Sequence, residues 1–301
     1  MKKGNQGTEV KVLQIQINKI LGTKLVADGY YGTKTENAVK DFQAMYNLVQ
    51  NGICEGLTSE LIFTIYNKKM DENNLLTFGA DRFVVFVDSG HGGINDKGEY
   101  VTPGKRAYHH GHELHQNGNY YEGYENRLAA ERFIELCTDN GIQTIRTYHP
   151  YKDTSLSERT ELVRAYLKRG YYGYLHSFHS NAISHTNSKE KLEATRGFMV
   201  FNTRGDNFSD QIATQHFKNV AENVENITLR PNNIDGDVDH EANFQMLRET
   251  DLNDFSNFGA ILDEWDFHTS AEGCENIIRS REQRAKACLL TAQWVKNELT
   301  K

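Results

Sequence analysis

The sequence predicts an α/β protein: a three-layer domain built on a mostly parallel sheet, preceded by a small N-terminal three-helix bundle. Two observations carry this. Up to residue 67 apolar residues recur at spacings of three and four, the helical period, whereas from Phe83 short apolar runs alternate with helical patterns, as in βα units. The charge divides at the same place. Residues 1–70 carry nine Lys, no Arg and six acids, a balance of +3, leaving −10 for the remainder of a 301-residue chain whose net charge is −7. We therefore expect a helical domain over 1–67, a linker over 68–80 that lacks periodicity, and a second domain over 81–301.

In the first domain Val10, Leu13, Ile17, Ile20 and Leu21 line one face of a helix that ends near Gly22. Thr33-Lys34-Thr35-Glu36 has the form of a capping box, and Ala38, Val39, Phe42, Met45 and Tyr46 continue one face of a second helix. Thr58 is placed to cap a third helix, with Leu61, Ile62, Ile65 and Tyr66 on its buried side. The turn Asp28-Gly29-Tyr30-Tyr31-Gly32 recurs in altered form as Asn51-Gly52-Ile53-Cys54-Glu55-Gly56, an internal half-repeat. Gln43 is expected to make a surface bond.

In the second domain strands are expected at Phe83–Val87, Ile142–Thr147, Tyr174–Phe178, Gly197–Phe201, Phe244–Arg248 and Ala260–Glu264. Helices are expected over 124–139, Leu156–Lys168, 209–225 and 275–298. In such sheets ligands bind at the carboxyl ends of the strands. Three ends are chemically informative: Asp88-Ser89-Gly90-His91-Gly92-Gly93, Phe178-His179-Ser180-Asn181 and Asp263-Glu264-Trp265. Two His and a carboxylate on converging strand ends suit a catalytic zinc, which takes three protein ligands and leaves a fourth position to water.

Composition narrows the functional classes. The acidic balance disfavours a nucleic-acid partner. The longest apolar run, Phe83–Val87, is far short of the roughly 20 residues that cross a bilayer, and no secretory signal core follows Met1-Lys2-Lys3. Cys54, Cys137, Cys274 and Cys288 lie far apart with no C-x-x-C, which suits a reduced compartment better than disulfides or a Cys zinc site.

Two family resemblances follow from the motifs. Gly4-x-x-Gly7, Val10-x-x-Leu13-Gln14, Asp28-Gly29-x-x-Gly32-x-x-Thr35 and Ala38-Val39-x-x-Phe42-Gln43 resemble the peptidoglycan-binding domain attached to many cell-wall hydrolases. That resemblance implies a wall-binding groove near Asp28, Gly29, Tyr30, Tyr31 and Gly32. Val87-Asp88-x-Gly90-His91-Gly92-Gly93, Glu122-x-x-x-Asn126, Ser155-Leu156-Ser157-Glu158-Arg159, Ser177-x-His179-x-Asn181-Ala182 and Leu262-x-Glu264-x-x-Phe267 resemble the zinc-dependent N-acetylmuramoyl-L-alanine amidases of autolysin and phage-endolysin type.

The second resemblance implies that His91, Glu122 and His179 hold Zn2+ and that Glu264 is the catalytic carboxylate. Glu125, one helical turn on, is the alternative to Glu122. Asn181 is a candidate substrate contact, and Asn126 and Asn181 are candidates to steady the ligands through hydrogen bonds. Asp88 and Asp263 flank the site and are expected to make structural hydrogen bonds, and Arg159 to pair with a carboxylate on its own helix. The chain departs from the family pattern at Asp266, where a small residue or Gly is usual, and at Ser256-Asn257-Phe258, where a Pro is usual. An insertion from Gly98 to Tyr121 carries His109, His110, His112 and His115 and is read as a substrate-side lid or solvated loop.

The implied function is hydrolysis of the amide between N-acetylmuramic acid and the L-alanine of the stem peptide. The alternatives are a zinc peptidase cutting within that peptide and an inactive wall-binding protein. The first lacks the H-E-x-x-H pair of one large zinc-peptidase class. The expected partner is bacterial peptidoglycan, met by a monomer without membrane insertion. The expected setting is an endolysin made in the host cytoplasm and released to the wall, or an autolysin acting outside the cell.

Overall fold

The computed structural model describes residues 1–46, 48–55, 58, 59, 61–63, 65, 66, 82–95, 99–107, 120–149, 152–232, 237–251 and 256–300. The chain divides into two compact units, Met1–Asp81 and Arg82–Lys301. The expected linker over 68–80 and the four histidines of the insertion lie outside the described residues. No described helix is long and apolar enough to cross a membrane.

The first unit is helical. Helix α1 (Thr8–Leu21) stops where Gly22 adopts φ 69°, a left-handed conformation that glycine takes without a Cβ clash. Helix α2 (Thr33–Met45) follows, and residues 58, 59, 61–63, 65 and 66 are helical as well. Val10, Leu13, Ile17, Ile20, Val39, Phe42 and Ile62 form the core, as their spacing requires. The expected capping box at Thr33 is absent: Gly32 is the N-cap of α2 and no side chain caps it.

The half-repeat is built around two buried glutamines. Gln14 donates from Nε2 to Asp28 Oδ1 (2.9 Å), Tyr30 O (3.0 Å) and Thr35 Oγ1 (3.0 Å), and its Oε1 accepts from Gly29 N (2.9 Å). Gln43 repeats the pattern with Asn51 Oδ1 (2.8 Å), Ile53 O (3.0 Å), Thr58 Oγ1 (3.2 Å) and Gly52 N (2.9 Å). Gln43 is thus a buried turn-former, not a surface residue, because only a carboxamide offers both donors and an acceptor to a loop that folds around it. Gln43→Leu strands the buried Gly52 N–H and is expected to destabilise the unit by about 1–3 kcal/mol. Hydrogen exchange of the bundle amides under denaturant measures this, and unchanged protection would contradict it.

The second unit contains a six-stranded sheet. Its strands are β1 (Phe83–Ser89), β4 (Thr144–Arg146), β5 (Tyr172–Asn181), β6 (Met199–Asn202), β7 (His240–Glu241) and β8 (Phe258–Phe267), in the spatial order β4-β1-β5-β8-β6-β7. The pairs β1·β4, β1·β5, β5·β8 and β6·β7 are parallel, and β6·β8 is antiparallel. A two-stranded ribbon, β2 (Arg106–Ala107) with β3 (Tyr120–Tyr121), stands apart from this sheet.

Helices cover both faces. Helix α3 (Glu122–Asp139), helix α6 (Phe208–Asn223) and helix α8 (Arg281–Leu299) pack on one, against Val85, Val87, Tyr174, Phe178, Ile261 and Trp265. Helix α4 (Leu156–Leu167) and helix α7 (Gln245–Arg248) pack on the other, against Val84, Phe86, Leu175, Ala260 and Leu262. The alternation along β1, with odd residues to one layer and even residues to the other, is the two-residue period of a strand buried on both faces. Between α4 and α6, helix α5 (Lys189–Ala194) is a short surface turn with no buried residue.

One element differs in kind. Phe244–Arg248 was expected as a strand, but Gln245–Arg248 is one helical turn. Met246 and Leu247 are consecutive and both buried in the same cluster, which a strand would split between its two faces. The edge position is taken instead by His240–Glu241.

Candidate active site

The site lies at the carboxyl ends of β1, β5 and β8, where the sheet's central strands leave the core. Strand β1 runs into Gly90 and His91. A Cβ on Gly90 would sit 2.2 Å from His179 Cε1, so glycine is required for the two chain segments to approach. His91 then adopts φ 65°, a left-handed conformation that few non-glycine residues take. Its carbonyl is gripped by Arg127 Nη2 (2.9 Å) and Arg159 Nη2 (2.9 Å), and these bonds hold the strained turn.

Helix α3 begins at Glu122, two residues earlier than its periodicity suggested, and so presents that carboxylate from its first turn. A Cβ on the next residue, Gly123, would lie 2.0 Å from Gly92 O, so the helix start and the His91 loop pack backbone to backbone. Glu122 Oε1 lies 3.2 Å from His91 Nε2 and 3.2 Å from His179 Nδ1. One ligand atom from each of these three residues falls within 4.8 Å of the others.

The donor set fits a metal ion. Glu122 Oε2 is buried and has no hydrogen-bond partner among the described residues, and His91 Nε2 is buried against Glu122 Oε1. Glu122 is sealed at 2% exposure, while His91 and His179 keep 18% and 17%, so the cluster is open on the histidine side alone. A donor set open on one side would leave a bound ion room for a further ligand, which a closed structural site does not. Burial alone would raise the Glu122 carboxyl, but the hydrogen bonds and charge of His179 and His91 hold it well below the usual range. Burial opposes charge on His179, and Glu122 outweighs it, so the imidazole is raised.

Glu125 is not part of the cluster. It is buried and paired with Arg281 Nη2 (2.8 Å). Glu122, then, is the carboxylate that meets the two histidines.

Glu264 stands on β8 directly across from His179 in the parallel register. Its Oε2 has no hydrogen-bond partner among the described residues. Burial pushes the carboxyl up to about 8, and the negative charge of Glu122 adds to that effect while His179 opposes it. A carboxyl poised between its two protonation states beside three metal-ligand types can take up and release a proton.

The remaining expected residues separate into neighbours and supports. Asn181 ends β5 and accepts from Ala182 N (2.7 Å). Asn126 is fully buried and both its amide atoms are unpartnered among the described residues, so neither asparagine makes the expected bond to a ligand there. Asp88 accepts from Ser177 Oγ (2.5 Å), Thr147 Oγ1 (2.6 Å) and Arg159 Nη1 (2.8 Å). Arg159 therefore pairs with a carboxylate on β1, not one on its own helix, because its long side chain turns inward to reach the sheet end. Asp263 points to the opposite face of β8 from Glu264.

In the first unit Asp28 accepts from Gln14 and from Tyr30 N, and Tyr30 is exposed. Tyr31 is a correction: it is fully buried, its hydroxyl donates to Gly52 O (2.9 Å), and it belongs to the core instead of a wall-facing surface. Gly29 and Gly32 shape the turn. A Cβ on Gly29 would lie 2.9 Å from Gly7 O.

Asp266, one of the departures from the family pattern, adopts φ 67°. It satisfies that glycine-like conformation through its own side chain, accepting from Phe267 N (2.8 Å), Gly197 N (2.8 Å) and Arg196 Nε (2.8 Å). Sequence reasoning missed His268. Its ring stacks on Tyr120 at 17°, its Nδ1 lies 3.0 Å from Ser180 Oγ, and burial pushes it down to about 4. The strand-end rule that found His179 would have reached it had β8 been extended to Phe267.

Comparisons with known proteins bear on both units. The family model of the peptidoglycan-binding domain PG_binding_1 matches residues 6–62. A search of curated proteins finds no match. Among solved structures, N-acetylmuramoyl-L-alanine amidase AmiC2 of Nostoc punctiforme is similar at 19% identity and TM-score 0.52, covering 74% of this chain and 100% of that one. An N-acetylmuramoyl-L-alanine amidase from Clostridium difficile 630 is similar at 23% identity and TM-score 0.49, covering 73% of this chain and 97% of that one. The chain thus joins a segment that matches the peptidoglycan-binding domain family to a larger unit with the fold of the amidase AmiC2.

Proposed function

We propose that the protein is a zinc-dependent peptidoglycan amidase that cleaves the bond between the lactyl group of N-acetylmuramic acid and the L-alanine of the stem peptide. The observation that carries this reading is the convergence of His91, Glu122 and His179 at the sheet end, with Glu264 across the register from His179. The peptidoglycan-binding match over residues 6–62 supports the substrate class, and the AmiC2 fold supports the bond.

In this reading His91, Glu122 and His179 hold zinc. Bound there, zinc supplies a Lewis acid for the amide carbonyl and lowers the pKa of water toward about 7. Glu264 takes the proton of the attacking water on its carboxylate and returns it to the departing nitrogen of L-alanine. Arg127 and Arg159 keep the His91 turn in place by holding its carbonyl, and Gly90 lets His179 approach. Tyr30, exposed on the first unit, and Asn181, at the end of β5, are available to glycan or peptide.

Purified cell walls provide the test. Release of soluble wall material should stop when the protein is stripped with a chelator and return when zinc is added back. Full activity of metal-free protein would overturn the zinc assignment.

A further inference from the structure

Beneath the candidate active site, on the opposite face of the same two strands, lies a second cluster of metal-ligand side chains that the amide-cleaving mechanism does not use. His176 on β5, Asp263 on β8, His216 on α6 and Cys288 on α8 are all fully buried. One ligand atom from each lies within 4.8 Å of the other three. His176 Nε2 is 2.7 Å from Asp263 Oδ2 and 3.7 Å from Cys288 Sγ, and His216 Nε2 is 3.1 Å from Asp263 Oδ1.

The hydrogen bonds around His216 orient its ring. Thr291 Oγ1 donates to Ala287 O (3.2 Å), accepts from Asn219 Nδ2 (2.9 Å) and lies 2.8 Å from His216 Nδ1. His216 Nε2, on the other side of the ring, faces Asp263 Oδ1 at 3.1 Å. These two atoms are both buried and both without a hydrogen-bond partner among the described residues. Polar atoms buried in this way need a partner, and a cation held by both would satisfy them.

The surroundings match what metal-bound histidines need. The outer nitrogen of each ring is held by a hydroxyl, Thr291 for His216 and Tyr174 OH (3.3 Å) for His176, and Trp265 Nε1 donates to Asp263 Oδ2 (2.7 Å). Charge balances too: a carboxylate and a thiolate together neutralise one divalent ion in a pocket with no access to water.

We propose that His176, His216, Asp263 and Cys288 form a second, structural metal site that takes a divalent ion of the zinc class. Two imidazoles, one carboxylate and one thiolate are a closed, four-coordinate donor set for such an ion. The ion ties helices α6 and α8 to the strands that carry His179 and Glu264. Because the pocket is sealed, the ion enters during folding and leaves more slowly than the one at His91.

The test uses the full chain loaded with Co2+, together with a count of zinc per chain. Thiolate bound to Co2+ gives a charge-transfer absorption in the near ultraviolet, and the cluster at His91 contains no sulfur, so this band reports the second site alone. The expected result is two metal ions per chain, with the band retained in His179→Ala and lost in Cys288→Ser together with one metal equivalent. A cobalt-loaded protein without the band, or a band that survives Cys288→Ser, would overturn the proposal. The wild-type spectrum decides even where a variant fails to fold. Metal retained in His179→Ala but lost in Cys288→Ser supports this site whether or not the amidase reading stands.

Discussion

His179→Ala is expected to remove zinc from the candidate active site and to abolish wall hydrolysis with it, whereas Glu264→Ala should keep the metal and lose turnover by about 10²–10⁴-fold. The two residues are register neighbours on adjacent strands, yet their environments assign them different work. His179 Nδ1 faces Glu122 and belongs to the donor set. Glu264 keeps an unpartnered oxygen and a carboxyl pushed up to about 8, the mark of a group that moves a proton. Metal analysis alongside a rate measurement on each variant checks this. A Glu264→Ala variant at full activity would remove Glu264 from the mechanism.

The second large effect concerns stability. Arg159 and Asp88 form an ion pair at 1% exposure on each side, and Arg159 also holds the His91 carbonyl. Arg159→Met leaves a buried carboxylate without its counter-charge and is expected to cost about 3–5 kcal/mol of unfolding free energy. Catalysis should fall as well, because the left-handed turn at His91 loses one of its two clamps. Denaturant titration measures the first effect and a metal affinity the second. A loss below 1 kcal/mol would mean that Asp88 finds another partner.

The same pair sets a pH dependence. Burial raises the Asp88 carboxyl, but the charge of Arg159 and the hydrogen bonds of Ser177 and Thr147 outweigh it and bring it down to about 2 from 3.8. A depressed carboxyl stabilises the fold above its unfolded pKa and ceases to do so as pH falls through its folded one. About 2 kcal/mol should therefore disappear between pH 4 and pH 2 on this account, at about 1.4 kcal/mol per pKa unit. Asp88→Asn should flatten that part of the stability curve, and an unchanged slope would assign the acid sensitivity elsewhere.

Much of this was legible in the sequence because the site sits where strands end. Buried strands such as β1 announce themselves as short apolar runs, and the residues at their carboxyl ends, His91 just past β1 and His179 near the end of β5, are fixed in space by the sheet. Glu122 was harder, since the choice against Glu125 depends on where α3 begins and on Arg281, which follows Glu125 by 156 residues. Arg159 was misassigned to its own helix because local spacing cannot show a long side chain turning inward.

The cluster of His176, His216, Asp263 and Cys288 was illegible for a related reason. Its members come from four elements, with 112 residues between His176 and Cys288, and no spacing rule joins them. Phe244–Arg248 failed as a strand because a segment with only three apolar residues suits either period, and only the common burial of Met246 and Leu247 decides. Tyr31 and Gln43 show the limit of reading turns as surface: in both half-repeats the turn wraps a buried side chain.

Mass spectrometry of the ends released from purified peptidoglycan tests the central claim most directly. The account predicts free stem peptides beginning with L-alanine beside intact glycan strands, absent under chelation and restored by zinc. Cuts within the peptide or within the glycan, with the lactyl amide left whole, would contradict it.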